Sequence, residues 1–297
     1  MTSPSPDKFD RWKLGWNRTW AYRLFQRHHT QINQLYWSHV GVANFAFAAT
    51  KPFDETDHTS VLFSLDDPAN SNLDIPLGQW ASQYDSFCNW VRLSSLVAIT
   101  GYMEVYLKTV IRLALESDPG ITNGVSKAVD GVAFLKSNPK YSFRDEATEV
   151  VIGDWGKRIA KYVRYFGTAP AAITTSVKAL EDLRRARNGV THTFGRASDD
   201  YDNLLDTNPK PLKKVSELKL VKTLALADRV AKAVDKQLGP LHIGDYESVY
   251  FYHNWDKSFH PKHETEHKAF AKKIGEVHGR SLNLDYHRQL IEYYNYL

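Results

Sequence analysis

Arg187 and His192 lie five residues apart, with Asn188 between them, in the stretch LEDLRRARNGVTHTFGR from Leu180 to Arg196. Residues of these types can cleave a phosphodiester without a metal. A guanidinium is a permanently charged planar fork that matches phosphate oxygens. An imidazole, with an ordinary pKa of about 6.5, exchanges a proton near neutrality. The first would steady the phosphate while the second moves the proton. The Asn188 amide, donor and acceptor both, would orient the ring or take a second phosphate oxygen.

The element that must position them is a helix. Thr168 and Pro170 mark its start, and Ile173, Val177, Leu180 and Leu183 recur at helical spacing. At roughly 100° per residue, Arg187 falls about 20° from the stripe through Leu180, so it points inward or toward a partner. Arg185 shares the outer face with Lys178. A charge on an apolar stripe needs a partner or a phosphate, because burying it unpaired costs several kcal/mol. Two courses beyond Arg187 are open. Gly189, with Asn188 before it, reads as a carboxy-terminal cap, after which the chain can fold His192 back toward Arg187. An unbroken helix instead leaves those two about 140° apart and sets Asn188 and His192 on one face.

The bare spacing recurs at Arg23 with His28 or His29 and at Arg280 with His287. What sets Arg187 apart is the Asn directly after it, the amphipathic lead-in and the local charge. From Val151 to Arg196 nine basic residues face the three acids Asp154, Glu181 and Asp182, a surplus that suits a polyanion. The plainer alternative is a solvated helix end with a capping His.

The R-N-x-x-x-H arrangement in RNGVTH, downstream of the long helical stretch VAITGYMEVYLKTVIRLALES, resembles the signature of the HEPN superfamily. The resemblance runs from near Ala81 to near Gly239. It implies an all-α bundle that dimerises with two motifs facing, giving a composite RNase site that needs no metal and no cofactor. Arg187 would bind and stabilise the phosphate, His192 would be the general acid or base, and Asn188 the supporting polar residue. Arg184, Arg185 and Arg196 would add contacts to the RNA. Glu104 stands where family members often carry an acid in the earlier helix. The implied chemistry is attack of a ribose 2′-hydroxyl on the adjacent phosphate, leaving a 2′,3′-cyclic phosphate and a 5′-hydroxyl. One His per chain cannot easily be both base and acid, so a second chain is chemically attractive. The family setting points to a toxin or antiviral defence effector with an antitoxin or regulatory partner. A non-catalytic RNA-binding or dimerisation module on the same fold is the alternative.

Two other features invite chemistry. HETEH, His263 to His267, satisfies the H-E-x-x-H zinc-peptidase string. Pro261 just upstream and the charges of Glu266 and Lys268 sit poorly with the apolar helix such a site needs, so an exposed charged helix in a His-rich tail is preferred. DRWKLGWNRTWAYRLFQRHH reads as a basic amino-terminal helix with Trp12, Trp16 and Trp20 in one stripe. That stripe would lie on a membrane surface, stack on unpaired bases, or, as the plainer reading has it, pack into the fold.

Composition bounds these readings. The 297 residues carry a net charge of only +4, so the basicity is local. A single Cys88 rules out an intrachain disulfide framework and a Cys-based zinc site and favours a reducing compartment. MTSPSPDKFD lacks the apolar core of a signal peptide. The uncharged run from His28 to Thr50 is long enough to span a bilayer but holds His, Gln, Asn, Thr and Ser. The expectation is a soluble, cytoplasmic protein with no stable membrane insertion.

The fold expected is all-α, a helical bundle with long antiparallel helices and helical extensions at both ends. Residues 1–80 would form an amino-terminal helical segment with a polar insert, 81–240 the HEPN-like domain, and 241–297 an aromatic, His-rich extension. A helix over Ala81–Glu116, apolar on most sides through Trp90, Val91, Val97, Val105, Val110 and Leu113, would be central. Asp118, Pro119 and Gly120 end it. Further helices are expected over Glu146–Phe166, Ala171–Arg187 and Ser216–Leu238, the last stopped by Gly239 and Pro240. GRASDDYDNLLDTNPKPLKK would form a loop over the site.

Overall fold

The computed structural model describes residues 8–63, 65, 72–138, 140–193, 212–257 and 265–297. Among them are eleven α-helices and no strand, the all-α fold expected. The helices are α1 (Trp20–Thr50), α2 (Leu77–Ser117), α3 (Gly131–Ser137), α4 (Arg144–Val151), α5 (Trp155–Phe166), α6 (Ala171–Thr174), α7 (Val177–Thr193), α8 (Glu217–Leu238), α9 (Tyr246–Asn254), α10 (Glu266–His278) and α11 (Leu284–Tyr296). No described helix is long and apolar enough to cross a membrane. The chain forms two compact units. One comprises residues up to Gln26, Met103–Leu180 and Arg229–Leu297; the other comprises Arg27–Tyr102 and Glu181–Asp228.

In the first unit, α1 begins at Trp20 rather than near Asp10, because Asn17 takes a left-handed conformation (φ 63°) that no α-helix accommodates. The freed N–H groups of the first turn are all met. Thr19 Oγ1 accepts from Tyr22 N at 3.1 Å, and the buried Glu247 carboxylate accepts from Trp20 N at 2.7 Å and Ala21 N at 3.3 Å. Asp235 in turn accepts from the Thr19 hydroxyl at 2.5 Å. The tryptophan stripe packs inward. Trp16 is buried, edge-on to Trp20 at 6.2 Å, with the guanidinium groups of Arg23 and Arg280 on its ring.

Arg11 ties this unit together. The residue is 4% exposed, and its guanidinium donates to Asp130 Oδ1 (3.1 Å), to the Ile243 carbonyl (2.8 Å) and to Ser117 Oγ (2.7 Å). It thereby joins the amino-terminal turn to the end of α2, the cap of α3 and the segment after α8. The α-helix α8 ends at Leu238, before Gly239–Pro240 as expected; residues Gly239–Ile243 then make one turn of π-helix and reverse at Gly244 (φ 53°), where a Cβ would collide with the Arg11 carbonyl oxygen. The helix expected over Glu146–Phe166 is two helices. Gly153 (φ 95°) breaks it and Asp154 starts the second by accepting from Lys157 N at 2.9 Å.

In the second unit, Tyr36 on α1 donates to Glu217 at 3.2 Å, and His29 bonds the Leu224 carbonyl at 3.1 Å. Along the whole of α2, Leu93, Leu96, Ile99 and Val110 are at most 1% exposed, whereas Trp90 is 45% and Val105 58% exposed. Toward its end Ala114, Leu115, Glu116 and Ser117 are buried in succession, so α2 is enclosed there, as its apolar character on most sides leads one to expect, and opens on one side at Trp90 and Val105. Cys88 is buried on it, and burial pushes its thiol pKa up.

Candidate functional site

The motif belongs to the end of α7, in the second unit. Val190 is 3% exposed and packs with Leu93 of α2 and Val215, with Val97 against them. This contact carries the helix through Gly189, which is exposed and has no positive φ. The cap expected at Asn188–Gly189 is therefore replaced by the other course, an unbroken helix to Thr193. Its start differs as well. The segment expected as one helix from Ala171 divides into α6 and α7 at Thr175–Ser176.

Arg187 and Asn188 are brought together: the guanidinium Nη1 donates to Asn188 Oδ1 at 3.0 Å, and both side chains are half-buried. Thr191 Oγ1 donates to the Arg187 carbonyl at 2.6 Å. His192 is exposed, one turn after Asn188 on the same face and about 140° around the helix from Arg187. The amide of Asn188 thus stands between the cation and the imidazole. Within one chain, Arg187 and His192 open on different sides of the helix.

Arg184 and Arg185 share one carboxylate. Arg184 lies on Glu181 with bonds of 3.0 and 2.7 Å, and Arg185 Nε reaches the same group at 3.2 Å with its side chain 72% exposed. Glu181 is one of the three acids already set against the nine bases, so this pairing holds the two guanidinium groups in place and leaves the local surplus unchanged. Glu104 belongs to the first unit, where its carboxylate pairs with the buried Arg158 at 3.0 Å. Arg196 and the expected loop as far as residue 211 lie outside the described residues, as do His263 and Glu264 of the zinc-peptidase string. Of that string's remainder, Glu266 is bound to Tyr252 at 2.6 Å and to Lys257 at 3.1 Å. No group of three metal-capable side chains occurs among the described residues.

The other Arg–His spacings are taken up by packing. Arg280 lies over Trp16, while His287 is fully buried, bonded to Ser281 Oγ at 2.8 Å, and pushed by burial down to a pKa of about 4. Arg23 also lies over Trp16; His28 stacks on Tyr102 with ring centres 4.1 Å apart. A polar cluster that the sequence did not reveal joins buried Asp118 to His242 Nδ1 (3.0 Å), Ser126 Oγ (2.5 Å) and Lys127 N (2.6 Å). Burial alone would raise the Asp118 pKa, but these hydrogen bonds outweigh it and hold the group below the usual carboxylate range. The carboxylate sits between the hydroxyl and the imidazole, so it anchors the π-turn and does not relay a proton from Ser126 to His242.

Residues of α2 also escaped the sequence reading. Asn89 of α2, 4% exposed, donates to the Lys213 carbonyl at 3.1 Å and accepts from Val215 N at 2.8 Å. Trp80, Tyr84, Phe87 and Trp90 form a continuous row along α2, with successive ring centres 5.0, 5.9 and 6.3 Å apart and interplanar angles of 11°, 29° and 10°. Their 4-3-3 spacing is visible in the sequence, whereas the apolar run around Trp90 suggests a buried position for it. The chain matches no protein-family model, no curated protein and no solved structure.

Proposed function

We propose that the chain is a metal-independent endoribonuclease of HEPN type, with Arg187, Asn188 and His192 as its working residues. The observation that carries this reading is the Arg187–Asn188 hydrogen bond on a helix that presents His192 one turn further on, at an exposed end. In the proposed reaction a ribose 2′-oxygen attacks the neighbouring phosphorus, the bond to the 5′-oxygen breaks, and a 2′,3′-cyclic phosphate and a 5′-hydroxyl result. His192 takes or gives the proton. Arg187, fixed by Asn188, stabilises charge on the phosphoryl oxygens. Because the two side chains diverge around the helix, one phosphate is served by Arg187 of one chain and His192 of another, in a homodimer with a composite site. A toxin or antiviral effector role, held in check by an antitoxin or regulatory partner, suits such an activity.

The test is cleavage of RNA by purified protein in the presence of a chelator, with the product ends identified. His192→Ala is expected to lose about 100- to 10,000-fold in rate, the usual contribution of general acid–base assistance. A variant that cuts as fast as the wild type overturns the reading. The same divergence of Arg187 and His192 favours a second reading, a non-catalytic RNA-binding or dimerisation module, which RNA binding without cleavage by the wild type would establish.

A further inference from the structure

From His28 to Thr50 the helix α1 carries no Asp, Glu, Lys or Arg, although one side of it lies open to solvent. This stretch belongs to the second unit, where Ile32, Tyr36 and Ala43 are buried and mark its inner stripe. At about 100° per residue, Leu35, Ser38, Gly41, Val42, Phe45 and Ala48 fall on an arc of roughly 140° on the other side. All six are exposed. The largest are among the most open side chains of the molecule, with Leu35 66%, Val42 62% and Phe45 77% exposed. A Cβ built at Gly41 meets nothing within 4 Å, so the backbone there is open to close approach. The outer side of a surface helix is ordinarily charged, and α8, by contrast, has eight charged residues in its 22. Exposed apolar surface of this kind marks an interaction site.

We propose that the open side of α1 is the face on which a second copy of the chain docks. The missing charge selects the occupant. With no Lys or Arg from His28 to Thr50, the face has nothing to hold phosphate groups, whether of RNA or of an anionic lipid surface. A second copy brings the same neutral side, so nothing repels and no buried ion is left unpaired. Ser38 and Phe45 are seven residues apart and fall on one line along the helix. An antiparallel pairing about a two-fold axis beside Gly41 and Val42 therefore sets Phe45 of each copy over Ser38 of the other, large against small. The face from Gln31 to Ala49 is about 28 Å long, and its side chains give each copy roughly 500 Å² to cover. The total of about 1,000 Å² lies at the lower bound for a specific interface, so the dimer is weak and reversible, with a Kd on the order of 10 μM. This face precedes the stretch from Ala81 to Gly239 that carries the HEPN resemblance, and the inference does not rest on the ribonuclease reading.

The test is sedimentation velocity of the full chain over a dilution series that brackets this Kd by a decade on either side. The wild type is expected to pass from monomer to dimer across the series, and added salt should not weaken the dimer, since no ion pair crosses the contact. Phe45→Glu and Val42→Glu each enter the symmetric contact twice, and each should weaken dimerisation at least about tenfold. Both positions are exposed, so the urea midpoints of these variants should match the wild type, which separates a lost contact from a lost fold. Leu218→Glu, at a side chain as open as Val42 but on α8, should leave the dimer unchanged. A chain that stays monomeric throughout overturns the proposal, as does a dimer indifferent to both α1 substitutions or one that Leu218→Glu weakens equally. Binding of neutral phosphatidylcholine vesicles that Phe45→Glu abolishes, in a chain that stays monomeric, gives the face to a lipid surface and also overturns the second copy. The nuclease and the interface fail separately. A dimer lost on Phe45→Glu, in a protein that cuts no RNA, removes the nuclease and keeps the interface. His192-dependent cleavage by a chain that remains monomeric does the reverse.

Discussion

Asn188 is the residue on which the proposed chemistry turns, since it fixes the guanidinium of Arg187 and shares a helix face with His192. Asn188→Leu removes the acceptor at little change in size. A hydrogen bond to a charged group contributes about 1.5–3 kcal/mol, so kcat/KM for RNA is expected to fall roughly ten- to hundredfold, measured on a defined oligonucleotide. Asn188→Asp keeps the acceptor but adds a negative charge beside the phosphate, and it should raise KM more than it lowers kcat. Unaltered KM in the Asn188→Asp variant would remove Arg187 as the phosphate ligand. The types of these residues were legible in the sequence; their partners were not. Glu104, read as part of the RNA site, spends its charge on Arg158, a residue 54 positions away whose proximity no local pattern announces. Arg184 and Arg185 converge on Glu181 because they lie three and four residues after it, a pairing that helical spacing alone would have supplied.

Gly189 gives the sharpest test at the level of helices. A glycine capping α7 in a left-handed conformation would be harmed by a Cβ, whereas one inside an exposed helix is improved by it. Nothing lies within 4 Å of a Cβ built there, so Gly189→Ala is expected to raise stability by about 0.5–1 kcal/mol, seen as a higher urea midpoint with unchanged slope. A loss would mean that α7 ends at Asn188. The local propensity that suggested a cap was overridden by burial of Val190, worth more than the glycine penalty. The long periodic elements were legible to within a few residues, as the ends of α2 and α8 show. Breaks set by backbone conformation at Asn17 and Gly153 were not, because a positive φ leaves no periodic trace. The start of α1 carries a pH dependence. Burial lifts Glu247 to about 7, with Asp235 nearby adding to it, and lifts Asp235 to about 6. Both folded-state values are raised, so between about pH 4.5 and 7 the folded chain holds more protons than the unfolded one, and stability falls as pH rises through that window. For Glu247 the loss is on the order of 3 kcal/mol. Urea midpoints at pH 5 and pH 8 should differ in that sense, and Glu247→Gln should flatten the difference.

On the scale of the whole chain, Arg11 joins segments that are more than 200 residues apart in sequence, from the amino-terminal turn to the Ile243 carbonyl. Arg11→Ala leaves Asp130 with only the Val132 N–H and the Tyr293 hydroxyl, takes away its cation and leaves the Ile243 carbonyl to the Ser117 hydroxyl, and is expected to lower stability by about 3–5 kcal/mol, the usual cost of removing one partner of a buried pair. Arg11→Lys should not restore it, since one ammonium cannot reproduce three directed bonds. A thermal midpoint within a degree or two of wild type in Arg11→Ala would deny it this role. Cys88 lies in the other unit, next to the Asn89 clamp, and it is the chain's single thiol. A coloured disulfide reagent therefore has just one target, and it can react only when the helix around that sulfur loosens. The labelling rate of the unaltered protein becomes a clock for local breathing of α2, read without any residue being replaced.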